Sequence, residues 1–170
     1  YQLLHRVARM KPGQRILVHG AGGAVGEAML QLGKLLDLEI YGTASKSKHD
    51  LVKRLGATPI DYKREDFVER IRSLTGDGVD AAFDAIGGDN FKRSFSVLRR
   101  GGKLVAYGFY NTTQGKGGSI PLDFMRLQLW NILPNRRSAA FYLITALRKK
   151  HADWFPEDLT KLFDLLAQNK

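Results

Sequence analysis

The stretch from Ile16 to Gly26 carries the densest chemical signal: the apolar Ile16-Leu17-Val18 passes through His19 into Gly20-Ala21-Gly22-Gly23-Ala24-Val25-Gly26. Val25, Met29, Leu32 and Leu36 then recur at helical spacing, so the glycines fall where a strand becomes a helix. A helix start offers unpaired N–H groups and partial positive charge, and glycines let an anion approach them. The strict Gly-x-Gly-x-x-Gly string is absent, with Ala21 in the first glycine's place, yet Gly20-x-x-Gly23-x-x-Gly26 holds. Gly23 is expected to let the backbone approach a pyrophosphate, and Gly26 to let the helix pack close on the sheet. The N–H groups of Gly23, Ala24 and Val25 are the expected donors. Such turns also occur without a ligand, so the rest of the chain decides.

About 20 residues beyond such a loop, an acid usually accepts from ribose hydroxyls. Here the place reads Ala44-Ser45-Lys46-Ser47-Lys48. No acid repels a 2′-phosphate, and Ser45, Lys46 and Lys48 can donate to one. The lysines also read as the solvated first turn of a helix, where their charge opposes the dipole. Two cations at a helix start fit better with an anion present, which favours NADP over NAD.

The elements that must position these groups alternate. Glu39 to Thr43, Thr58 to Ile60, Val79 to Asp84 and Lys103 to Tyr107 read as strands. Lys46 to Leu55, Glu65 to Leu74 and Asn90 to Leu98 read as helices between them. That alternation predicts right-handed βαβ units: an α/β, doubly wound parallel sheet of about six strands flanked by helices. Tyr1 opens within an apparent helix containing Leu3, Leu4 and Val7. Asn111 to Ser119, with Gly115, Gly117 and Gly118, reads as a loop, and Pro121 to Leu133 as a helix. After a Pro134-Asn135 break, Ser138 to Leu143 is the expected sixth strand, and Trp154-Phe155-Pro156 introduces a last helix from Glu157 to Gln168.

A chain of 170 residues, 44% hydrophobic, can bury one core. No apolar run approaches the roughly 20 residues of a membrane span, and no signal peptide precedes the first strand, so the expected location is cytoplasmic. Zero cysteines exclude thiolate metal sites, and His5, His19, His49 and His151 lack ligand-like spacing; surface or turn positions are expected for them, and no metal. The net charge of +10 is scattered and lacks a recognition motif, so nucleic acid is not the expected partner beyond weak, salt-sensitive binding. None of the six tyrosines has Lys four residues later, which removes short-chain dehydrogenases, and no Gly-x-Ser-x-Gly supports a hydrolase elbow.

Arg15 to Gly26, Gly42-Thr43-Ala44-Ser45, Leu55-Gly56-Ala57, Ile60-Asp61-Tyr62, Phe83-Asp84-x-x-Gly87-Gly88 and Arg100-Gly101-Gly102-Lys103-Leu104-Val105-x-x-Gly108 follow one another in a recognisable order. Nearly the whole chain thereby resembles the cofactor domain of medium-chain dehydrogenase/reductases, on the zinc-free quinone-oxidoreductase, or zeta-crystallin-like, branch. The resemblance implies a Rossmann domain over residues 1–170, excised from a parent whose N-terminal GroES-like barrel is absent. It further implies Tyr62 beside the adenosine phosphate, with Ile86, Gly87, Gly108 and Phe109 bordering ribose and nicotinamide. Substrate and any zinc sit between the two domains in the family, so this chain is expected to bind NADP(H), to hold no catalytic residue, and to meet a small-molecule substrate only with the missing domain. The parent would transfer hydride between nicotinamide and a quinone, carbonyl or activated alkene. Two alternatives stay open: a non-catalytic nucleotide- or RNA-binding module, and an NAD-preferring alcohol dehydrogenase domain. Relatives dimerise through the strand corresponding to 138–142, which here has no Lys, Glu or Pro. Either that edge pairs with a second copy or a loop covers it while Phe141 and Tyr142 pack inward.

Overall fold

The computed structural model describes residues 1–115, 118–134 and 136–168, so Gly117 of the expected loop and Asn135 of the expected break lie outside the described residues. Hydrophobic runs build six strands: β1 (Arg15–His19), β2 (Glu39–Ala44), β3 (Ala57–Asp61), β4 (Val79–Asp84), β5 (Leu98–Ala106) and β6 (Ser138–Phe141). All pair in parallel, in the order β3-β2-β1-β4-β5-β6. The order reverses direction between β1 and β4, and ligands of open α/β sheets bind outside the strand ends at such a switch point.

Strand side chains alternate between two buried faces, as a parallel sheet requires. Ile16, Val18 and Phe83 pack on one side with α1 (Ala24–Leu35), α2 (His49–Arg54) and a π-helical stretch, Leu3–Ala8. Leu17, Ala82 and Leu104 pack on the other with α3 (Phe67–Thr75) and α4 (Asp89–Ser96). Leu127 of α6 (Ile120–Ile132) joins that second core.

Several boundaries move. The expected helix from Lys46 divides into a 3₁₀ turn, Lys46–Lys48, and α2. Tyr110–Thr113 forms a short helix, α5, that runs into the start of the expected loop. A helix the sequence did not announce, α7 (Ile144–Lys150), precedes α8 (Trp154–Ala167). His19 and His49 are buried, at 4% and 7% exposure, against the expectation of surface positions. His19 ends β1 and His49 begins α2, and His19 stands edge-on to Phe67 at 4.7 Å.

At β6, the outward backbone is that of Ala139 and Phe141, since Tyr142 N–H turns inward to the Ala106 carbonyl (2.7 Å). The Asn131 side chain from α6 occupies both groups of Ala139, donating to its carbonyl (2.9 Å) and accepting from its N–H (2.8 Å).

Candidate functional site

Strand β2 holds the glycine loop. Ala21 N–H donates to the Thr43 carbonyl (2.9 Å) and Gly20 N–H to Thr43 Oγ1 (3.2 Å). Ala21 is fully buried, and a Cβ on Gly42 would stand 2.5 Å from its methyl. The alanine in the first glycine's place is thus accommodated by a glycine opposite it. A Cβ on Gly26 would stand 2.3 Å from the Gly20 carbonyl oxygen. Gly26 therefore lets the helix start close against the Gly20-Ala21 backbone that follows β1.

Gly23 N–H closes the loop onto the Gly20 carbonyl (3.0 Å), so its donor is engaged within the turn. A Cβ there would meet only Gly20 O, at 3.4 Å. Space above Gly23 is what it contributes. Helix α1 has no side-chain cap, which leaves its first-turn amides, including those of Ala24 and Val25, without intrahelical acceptors. Val25, one of the apolar residues at helical spacing, is 51% exposed.

Lys48 comes to the same place. A Cβ on Gly22 would lie 2.9 Å from Lys48 Cβ and 3.0 Å from its Cγ, so the lysine stem crosses the loop at Gly22. Ser45 begins the 3₁₀ turn, where its carbonyl accepts from Lys48 N–H (2.8 Å) and its hydroxyl meets Ser47 Oγ at 3.1 Å. Tyr62, just past β3, is exposed at the same sheet end.

On the β4 side, buried Asp84 organises the turn. Its carboxylate accepts from Ile86 N–H (2.7 Å), Gly87 N–H (3.3 Å), Asn90 Nδ2 (2.9 Å) and Ser94 Oγ (2.6 Å). A second buried carboxylate, Asp123, accepts from Gly88 N–H at 2.9 Å and pairs with Arg126 at 2.9 Å. The chain after β5 locks onto this turn: Tyr110 and Asn111 N–H groups donate to Ala85 and Ile86 carbonyls (2.9 and 2.8 Å). A Cβ on Gly108 would stand 2.9 Å from Ala85 O, and one on Gly87 3.1 Å from Phe109 Cα. The half-buried Phe109 ring packs with Phe141, Phe124 and Phe91 at 4.9, 5.7 and 5.9 Å. Burial, and then the charge of Asp84, push the Tyr107 phenol up to about 12, which keeps its proton on.

The two halves are joined by His19. Its Nδ1 meets Thr43 Oγ1 at 3.1 Å and its Nε2 meets Ser94 Oγ at 2.9 Å. Burial lowers its pKa, against the raising effect of Asp84. Ser94 and Asp123 were not singled out by sequence reasoning, Thr43 entered only within the Gly42-Thr43-Ala44-Ser45 motif, and His19 was read as a surface or turn residue. The Asp84-x-Ile86 spacing is a readable side-chain-to-backbone turn, whereas nothing local signals Asp123, 35 residues from Gly88.

A cavity of about 340 Å³ beside the turn is lined by Gly88, Asn111, Ser119, Asp123 and Arg126 among others. A roomier hollow, about 790 Å³, lies between α1 and α8, far from these groups. The residues present do not fit a zinc site: the chain has no cysteine, and among the described residues no three His, Asp or Glu side chains converge. Among the described residues no helix is long and apolar enough to cross a membrane.

Residues 24–146 match the profile of the zinc-binding dehydrogenase family. The synaptic vesicle membrane protein VAT-1 of Tetronarce californica is 44% identical over 181 residues, which covers 100% of this chain and 46% of the relative. The chain spans less than half the length of this relative. A crystal structure of the CurK enoyl reductase superposes with a TM-score of 0.83 at 26% identity, covering 99% of this chain and 48% of that one. The Escherichia coli quinone oxidoreductase complexed with NADPH superposes with a TM-score of 0.79 at 27% identity, covering 99% and 50%.

Proposed function

Because the chain belongs to the zinc-binding dehydrogenase family of medium-chain dehydrogenase/reductases, we propose that it is the NADP(H)-binding half of a two-domain oxidoreductase. The observation that carries this reading is the crossing of Lys48 over Gly22 beside an uncapped helix start, with no acid at the end of β2. A lysine rooted there, together with Ser45, suits a 2′-phosphate; Ala24 and Val25 amides suit the pyrophosphate. The NADPH complex of the quinone oxidoreductase neighbour supports the cofactor.

In this reading Tyr62 packs beside the adenosine. The turns Ile86–Gly87 and Gly108–Phe109 border ribose and nicotinamide. When bound, the dihydronicotinamide would supply the hydride; this chain would hold and orient it, and the partner domain of the parent would bring a quinone, carbonyl or activated alkene against it.

The test is calorimetric titration with NADPH and NADH. One charge-assisted contact sets an expected preference for NADPH of at least about tenfold. Lys48→Glu should abolish the preference while leaving NADH binding near its starting value. Equal affinities in the unmodified chain would refute the proposal.

A further inference from the structure

We propose that His19 is a positioning residue that couples the glycine loop to the Ile86–Gly87 turn; the dinucleotide role of these two places rests on the cofactor reading above. The hydrogen-bond directions are forced. Ser94 has one hydroxyl hydrogen, and it goes to the Asp84 carboxylate at 2.6 Å. Ser94 Oγ can then only accept from His19, so Nε2 carries the ring proton across 2.9 Å. In the neutral ring Nδ1 is an acceptor, and Thr43 Oγ1–H, at 3.1 Å, is its donor. Thr43 Oγ1 in turn accepts from Gly20 N–H at 3.2 Å.

The result is a one-way chain: Gly20 N–H to Thr43, Thr43 to His19, His19 to Ser94, Ser94 to Asp84. Asp84 also accepts from Ile86 and Gly87 N–H. Every side chain in it is buried, so a broken link has no water to replace it, and the groups on either side lose orientation together. The chain joins β2, β1, α4 and β4 across the switch point.

The experiment uses this chain throughout. In the cofactor-free protein, amide exchange is read at Gly20 in Ser94→Ala and at Ile86 in Thr43→Val. Each distant amide should exchange about three- to tenfold faster, the scale of one net hydrogen bond. Unchanged exchange at both amides would overturn the coupling whether or not the protein binds a nucleotide. Imidazole ¹⁵N shifts should report the neutral Nε2–H tautomer at pH 7, and the Nδ1–H form or an imidazolium would also overturn it.

NADPH affinity supplies the functional arm. Thr43→Val and Ser94→Ala should each weaken NADPH about three- to tenfold, and the double variant should be no worse than the poorer single within about twofold, because both break one chain. Multiplying effects would overturn the proposal, whereas Thr43→Ser, which keeps the hydroxyl, should restore binding. If exchange is coupled but the unmodified chain binds no NADPH, His19 positions the two turns as inferred and the cofactor reading falls.

Discussion

Replacing Gly26 and Gly23 by alanine, one at a time, separates what the loop does for the fold from what it does for a ligand. In an unobstructed helix the first change would gain about 1 kcal/mol of propensity. Here the new methyl would stand 2.3 Å from the Gly20 oxygen and 2.7 Å from Ala21 Cα. The loop cannot retreat, since Ala21 N–H is held by Thr43 O at 2.9 Å and its methyl is seated against Gly42. Overpacking costs about 1–3 kcal/mol, and an obstacle made of backbone puts this case at the upper end. Net of propensity, Gly26→Ala should lose about 2 kcal/mol, or about 4–8 °C in Tm for a domain of this size.

Gly23 differs. Its φ of −101° and ψ of 167° suit any residue, and a methyl would meet Gly20 O at an ordinary 3.4 Å. The small cost of alanine at a cap is offset by a less flexible unfolded chain, so Tm should stay within about 2 °C. That methyl nevertheless fills the space a pyrophosphate would enter, and NADPH affinity should fall at least about tenfold. Scanning calorimetry and titration calorimetry on both variants read the two effects. A Gly26→Ala protein as stable as the original, or a Gly23→Ala protein with unchanged affinity, would refute the reasoning.

If, as proposed, another domain seats the substrate, the purified chain should bind NADPH without oxidising it with a quinone at enzyme-like rates; steady loss of NADPH absorbance would contradict this. Burial raises the Asp66 carboxyl, but bonds from Val68 and Glu69 N–H and from Arg93 outweigh it and hold the group below its usual value. Its contribution to stability is therefore present above the unfolded carboxyl pKa and lost as pH falls through the folded one. Asp66→Ala should cost about 1 kcal/mol at pH 7 and measurably less near pH 2 by urea unfolding; an equal loss at both would disprove the assignment. Asn131→Ala should uncover Ala139 and strengthen self-association through β6, and adding Phe141→Pro should reverse that. Light scattering decides, and an unchanged mass in both variants sinks edge pairing.

Most of the sheet was legible because its strands contain short apolar runs bounded by glycine or a helical pattern, as at Val79 to Asp84 between Gly78 and Gly87, whereas the start of β5 at Leu98, through Arg99, Arg100, Gly101 and Gly102, was not. Helix ends were less so: Lys46–Lys48 forms a 3₁₀ turn where periodicity continues into α2. Lys48 could be picked out by charge and distance from the loop, but its passage over Gly22 is a tertiary fact. His19 and His49 were misread because spacing rules test for metal ligands and say nothing of burial, nor of an imidazole such as that of His19 that bridges elements. Asp123 reaches Gly88 from another helix, and such a bond leaves no trace in either local sequence. α7 carries no buried residue, hence no apolar stripe to announce it.

The crossing of Lys48 over Gly22 bears on how nucleotide selectivity could be re-engineered. A lysine loses side-chain entropy of up to about 2 kcal/mol when fixed by a ligand, and the start of the Lys48 stem lies where a Gly22 side chain would stand. Any side chain at Gly22 would lift that stem and redirect the ammonium without altering a single charge. If Lys48 reads the nucleotide as proposed, exchanging the lysine alone changes half of a two-part device, and Gly22→Ala should shift the NADPH-to-NADH preference without altering a charge.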